Sequence, residues 1–133
     1  MILLDTHAAV WLVTDNEALG RQSRALAATS LADNLLTVSA ISFWEIGLLI
    51  AKGRLKSVKT PSEVRAQILA AGINELPLTG DIALLAAELE NLHGDPADRF
   101  IAATAIIHGA TLMTADKPLL RWRHEIARRD ATK

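Results

Sequence analysis

Short apolar runs alternate along the chain with longer stretches in which hydrophobic residues recur at helical spacing. Ile2-Leu3-Leu4, closed by Asp5, predicts a short buried strand, and a helix starts directly at Thr6 and covers Thr6–Val13. A second helix is expected over Leu19–Thr29, from near Gly20. Leu35–Ser39 is rich in β-formers and reads as another buried strand. The apolar helix Phe43–Lys52 follows and stops at Gly53, a residue suited to the left-handed position past a helix end. Thr60-Pro61-Ser62-Glu63 has a hydroxyl cap, Pro at the first helical position and Glu at the third, so a helix begins there and ends by Gly72.

Ile73–Leu78 carries a fainter strand pattern, and Thr79-Gly80-Asp81 opens a helix running to about Leu92. His93-Gly94-Asp95-Pro96 is a loop, from which a helix starting at Pro96 or Asp98 runs to His108-Gly109. Thr111–Thr114 is a strand, and Asp116-Lys117-Pro118 turns into a short last helix. Arg121–Lys133 is basic and only weakly strand-like. Strands alternating with helices indicate an α/β domain with a parallel sheet, and no repeat or linker divides residues 1–133.

Four carboxylates interrupt this apolar pattern: Asp5, Glu45 within Phe43-Trp44-Glu45-Ile46, Asp98 before Phe100-Ile101-Ala102-Ala103, and Asp116 after Leu112-Met113-Thr114. An ionised carboxylate near a buried surface is costly without a cation or hydrogen-bond donors. In open parallel sheets ligands bind beyond the carboxyl ends of the strands, where all four residues are expected to lie. A cluster of oxygen ligands suits Mg²⁺ or Mn²⁺ better than zinc, and such an ion can activate water and orient a phosphate. Each residue also has a plainer reading. Asp5 could cap the helix after it, Glu45 could close a capping box with Ser42, and Asp116 could be a turn residue before Lys117-Pro118. In Asp95-Pro96-Ala97-Asp98, either Asp could be the cap and the other the ligand; Asp98, one helical step from the apolar face, is the better ligand.

Composition narrows the chemistry. The absence of cysteine excludes disulfides, thiolate metal sites and thiol catalysis, and suits a reducing cytoplasm. No apolar run approaches a membrane span, and the opening residues lack a secretory pattern, so a cytoplasmic protein without a membrane partner is expected. A net charge of −1 does not advertise nucleic-acid binding. Its distribution qualifies that, because Lys52, Arg54, Lys56 and Lys59 cluster, as do Arg121, Arg123, Arg128, Arg129 and Lys133. Such runs are commonly solvated faces; beside a carboxylate cluster they could hold a polyanion.

Five blocks carry a family resemblance. They are Leu3-Leu4-Asp5-Thr6-His7 with Trp11-Leu12; Ser39-Ala40-Ile41-Ser42-Phe43-Trp44-Glu45-Ile46 with Lys52-Gly53-Arg54-Leu55; Leu76-Pro77-Leu78; His93-Gly94-Asp95-Pro96-Ala97-Asp98-Arg99 with Ile101-Ala102; and Leu112-Met113-Thr114-Ala115-Asp116. In this order, from residue 2 to about 120, they resemble the PIN-domain ribonucleases, in particular the VapC-type toxins of bacterial toxin–antitoxin pairs. The resemblance implies a PIN-like three-layer α/β/α sandwich with a central, mainly parallel sheet, formed by residues 1–133 as a single PIN domain. It implies Mg²⁺- or Mn²⁺-dependent endoribonuclease activity, with Asp5, Glu45, Asp98 and Asp116 as the catalytic quartet and Asp5 and Asp98 as principal metal ligands. Thr6 and Thr114 match hydroxyl positions near the site. The expected partners are RNA as substrate, a second copy in a homodimer, and a cognate antitoxin through which DNA is contacted indirectly. The alternative is a PIN-like scaffold without nuclease activity that acts through its antitoxin complex. Gly94 and Ala97 stand where bulkier residues are common, which would loosen the start of the helix at Asp98.

Other residues are set aside. The His residues show no metal-ligand spacing; His7 could reach the site from the first turn of its helix, with a surface or packing role preferred. Ser39 and Ser42 read as caps, Trp11 and Trp44 as core or dimer contacts, and Trp122 as a packing residue that could alternatively stack on a base. Arg99 could pair with a carboxylate or hold a phosphate.

Overall fold

A computed structural model describes residues 1–133. The chain runs through β1 (Ile2–Leu4), α1 (Thr6–Val13), α2 (Arg21–Ala32), β2 (Leu36–Ser39), α3 (Ile41–Ala51), α4 (Pro61–Ala70), β3 (Asn74–Leu76), α5 (Gly80–Glu88), α6 (Pro96–His108), β4 (Thr111–Thr114), α7 (Lys117–Arg121) and β5 (Arg128–Asp130). The strands form one five-stranded sheet in the order β3-β2-β1-β4-β5, every pairing parallel. The chain thus builds outward from β1 to β3, then crosses back and builds the other half from β4. The strand order reverses between β1 and β4, and a crevice opens at their carboxyl ends.

Alternation along β1 sorts its side chains between two layers. Ile2 and Leu4 pack on one face with Ala8 and Ala9 of α1, Ala27 of α2, Ile46 of α3 and Ile68 of α4. Leu3 points the other way and joins Leu112 with Ile101, Ala102 and Ala105 of α6, Leu119 of α7 and Trp122. Helix α5 lies outside α6 through Ile82, Ala86 and Ala103. A central strand buried on both faces explains why Ile2-Leu3-Leu4 is continuously apolar. The result is the expected α/β/α sandwich, with a wholly parallel sheet.

Several local expectations hold. Thr60 and Glu63 form the reciprocal capping box at the start of α4. Gly109 closes α6 in the left-handed conformation, at φ 59°. Helix α2 runs Arg21–Ala32 rather than Leu19–Thr29, β3 covers Asn74–Leu76 rather than Ile73–Leu78, and two further boundaries bear on the site. Helix α3 begins at Ile41, two residues early, where the Ser39 hydroxyl accepts the Ile41 N–H. Helix α5 ends at Glu88 rather than near Leu92. The cause is Arg99, whose guanidinium donates to the carbonyls of Ala86, Ala87, Leu89, Leu92 and His93, 2.8–3.4 Å away. These carbonyls take a side-chain donor instead of the next helical turn.

The basic tail also differs from its sequence pattern, because Arg128–Asp130 pairs with β4 as a full edge strand. Arg128 donates to the Leu119, Trp122 and His124 carbonyls, so its charge braces the α7–β5 connection and does not point at a ligand. Trp122 is buried, and its indole N–H donates to the Glu90 carbonyl at 2.8 Å, which assigns it to packing.

Arg99 is expected to be irreplaceable by Lys, whose ammonium cannot span this set of acceptors. Arg99→Lys should lower unfolding free energy by about 3 kcal/mol in denaturant titrations, since several part-buried carbonyls lose their donor. A change within about 0.5 kcal/mol, typical of a surface substitution, would contradict the bracing role.

Candidate functional site

The carboxyl ends of β1 and β4 place Asp5 and Asp116 on the two sides of the crevice. Asp5 follows Leu4 directly and is buried; one oxygen accepts the Ala8 N–H at 2.8 Å and the other accepts the Thr114 hydroxyl from β4. Its N–H donates to the Met113 carbonyl, so the residue is tied to both strands. Asp116 caps α7 through Oδ2, which accepts the Leu119 N–H at 3.0 Å. Asp95 caps α6 through Oδ1, accepting the Asp98 N–H at 3.1 Å. Which Asp of this pair caps is thereby decided: Asp95 does, and Asp98 in the first turn is free of that duty. Ala97 is buried beneath it and the first turn is formed, so the small residues at 94 and 97 do not loosen this helix start.

Glu45 is not in a capping box. Ser42 is buried and its hydroxyl accepts the Thr6 hydroxyl at 3.0 Å, leaving the Glu45 carboxylate to face outward from α3. All four expected residues, with Asp95, line one cavity of about 380 Å³ together with Thr6, His7, Trp11, Leu49, Arg54 and Ala115. His7 thus reaches the cavity from the first turn of α1, the alternative to a surface or packing role. Arg54 is the only Lys or Arg in its wall. Arg99, although next to Asp98, meets neither a carboxylate nor the cavity, because its donors are spent on carbonyls.

Charge crowding dominates the electrostatics. Burial raises the Asp5 carboxyl above its ordinary range, against the pull of Thr114 and Ala8. Burial raises Glu45 as well, with the nearby Thr6 hydroxyl pulling the other way. Asp98 is pushed up to about 8, first by burial and then by the charges of Asp116, Asp95, Glu45 and Asp5. No hydrogen-bond donor is aligned on its oxygens. The nearest is His93, whose Nε2 stands 3.3 Å from Asp98 Oδ2 and 3.5 Å from Asp116 Oδ2. His93 has no ligand spacing with another His, and its signal in the sequence is its place at the head of the His93–Arg99 block, five residues before Asp98.

These residues fit a hard divalent cation. The donors are carboxylate oxygens, they are held at separate element ends, and one is forced toward protonation by the lack of a counter-charge. The ion-ligand grouping of His93, Asp98 and Asp116, with atoms within 4.8 Å of one another, lies at the same place.

The PIN domain family model matches residues 2–124. The chain is 37% identical over 124 residues to Ribonuclease VapC22 of Mycobacterium tuberculosis, covering 92% of each chain. Among solved structures it resembles VapBC2 from Rickettsia felis bound to a DNA fragment from its promoter, with TM-score 0.67, 21% identity and coverage of 97% and 98% of the two chains. It also resembles FitAcB from Neisseria gonorrhoeae, with TM-score 0.61, 25% identity and 98% of both chains covered.

Asp98 binds its proton more tightly folded than unfolded, so from about pH 4 to about pH 8 the native state holds the extra proton. Stability of the metal-free protein should therefore fall as pH rises through this window, with Asp5, Glu45, Asp95 and Asp116 as the facing charges and His93 beside them. Asp98→Asn should flatten the slope and stabilise the metal-free protein by about 1–3 kcal/mol near pH 8. Thermal melts across pH for both proteins check this; parallel curves would refute it.

Proposed function

As a chain that belongs to the PIN-domain family, this protein is, we propose, a metal-dependent endoribonuclease acting as the toxin of a VapC-type toxin–antitoxin pair, with residues 1–133 as a single PIN domain. The observation that carries the reading is the state of Asp98: mostly buried, faced by four further carboxylates, and without an aligned donor. A binding scaffold gains nothing from such a charge cluster, whereas metal-assisted hydrolysis of a phosphodiester uses one to hold its cation. The ribonuclease name of the 37% identical relative supports the same activity.

Asp5 and Asp98 would hold the Mg²⁺ or Mn²⁺, with Asp116 and Glu45 completing the site. When bound, the ion supplies the positive charge that lets these carboxylates ionise together and that offsets charge on the phosphate oxygens during cleavage. Asp5 is the rigid member, because Ala8 and Thr114 fix both its oxygens. Glu45, free of capping and raised by burial, is suited to take a proton from an attacking water. Arg54, at the wall of the same cavity, can draw the RNA phosphate toward an otherwise acidic pocket. A homodimer and a cognate antitoxin complete the assignment, with DNA reached through the antitoxin. Half-exposed Trp44 beside Glu45, and exposed Leu84 and Ile107, offer apolar surface for such contacts. Its site of action is the cytoplasm in this reading, and no helix is long and apolar enough to cross a membrane.

Antitoxin-free protein should cut total cellular RNA into discrete fragments in Mg²⁺ or Mn²⁺ and lose this activity with EDTA. Asp5→Asn and Glu45→Gln should each reduce cleavage by a factor of about a hundred or more while melting cooperatively. Gel analysis of the RNA gives the readout. A folded protein that cuts nothing under either ion would favour a non-catalytic scaffold that works through its antitoxin complex.

A further inference from the structure

His93 stands against the carboxylates without an obvious task. Its Nε2 is buried and has no hydrogen-bond partner, although Asp98 Oδ2 and Asp116 Oδ2 lie 3.3 and 3.5 Å away. Two carboxylates and an imidazole with ligand atoms within 4.8 Å look like a mixed nitrogen and oxygen metal site. The other ring nitrogen argues against that. Nδ1 accepts the backbone N–H of Asp95 at 3.3 Å, and an accepting imidazole nitrogen carries no proton. In the neutral ring the proton therefore sits on Nε2, the atom that faces the carboxylates. A ligating imidazole has the reverse arrangement, with a bare nitrogen toward the ion and the other nitrogen donating. Ligation through Nε2 would move the proton to Nδ1 and set two N–H groups against each other.

The ring cannot easily escape this choice. Asp95 is held by its capping bond to Asp98, and the His93 carbonyl is gripped by Arg99 along with that of Leu92. Trp122 pins the same loop at Glu90. The proton-bearing nitrogen is thus delivered to the carboxylate pair by a braced loop.

Resting on the metal-dependent reading above, we propose that His93 is a positioning residue and not a metal ligand: its Nε2–H is shared between Asp98 and Asp116 and orients their carboxylates for a cation. The shared proton draws on the two Oδ2 atoms and leaves the other oxygens of the pair for the ion. The donor set then stays all-oxygen, which favours Mg²⁺ and Mn²⁺ over ions that prefer imidazole nitrogen.

Mn²⁺ binding to wild type, His93→Gln, His93→Ala and Asp98→Asn, by calorimetry and pulsed electron paramagnetic resonance, tests this. Nitrogen modulation of bound Mn²⁺ should be the same in wild type and His93→Gln, since no imidazole ligand is lost. His93→Ala should weaken Mn²⁺ binding about tenfold or more, as loss of an orienting partner does. His93→Gln, which keeps an N–H donor, should recover most of that loss. Coordinated-nitrogen modulation present in wild type and lost in His93→Gln would overturn the proposal, as would unchanged affinity in His93→Ala. Asp98→Asn should abolish binding. A wild-type protein that binds no Mn²⁺ would overturn the metal reading itself and this inference with it, whereas failure of the His93 arms alone leaves the metal reading standing.

Discussion

Mutual repulsion among carboxylates held at one end of the sheet is the constraint around which the rest of this molecule is arranged. Asp5, Glu45, Asp95, Asp98 and Asp116 come from four separate segments of the chain and line a single cavity. Left to themselves, such groups separate or retain protons. Here they cannot separate, because the elements carrying them are packed on both faces of a five-stranded sheet whose central strand is fully buried. The stability of the hydrophobic layers therefore maintains an electrostatic conflict at the crevice, and the elevated Asp98 carboxyl is its measure.

Three of the five carboxylates do two things at once. Asp5, Asp95 and Asp116 cap α1, α6 and α7, each accepting a backbone N–H three residues ahead. A helix N-terminus stabilises a negative charge through its free N–H groups and dipole, so capping makes these charges tolerable where they are needed. The plain and the functional readings of these residues are consequently not rivals. Glu45 and Asp98 accept no such capping N–H, so burial and the neighbouring charges act on them without that offset.

Support for the site reaches well beyond its lining. Arg99 ends α5 early by taking its carbonyls, and in doing so fixes the loop that brings His93 to Asp98 and Asp116. Trp122 and Arg128 tie the chain after α7 to the same region and allow a basic, strand-poor tail to close the sheet edge. A cation placed next to an anion in sequence is here a clamp on backbone oxygens, a role set by geometry and not by neighbouring charge.

Periodicity and apolar runs were enough to read the α/β class, four of the five strands, the capping box at Thr60 and the four isolated carboxylates, because each depends on residues close together in sequence. A buried strand must be continuously apolar, and a polar group within such a run announces itself. The folded geometry decided the remainder. Whether Asp95 or Asp98 capped α6 depended on which carboxylate met the helix N–H, and whether Glu45 was a capping residue depended on Thr6, far away in the chain, taking Ser42. The edge strand at Arg128–Asp130 forms because β4 offers it an open ladder, not because its residues favour extended structure. His93 acquires its place only when α5 stops and Arg99 folds the loop back, a tertiary contact that no local pattern encodes.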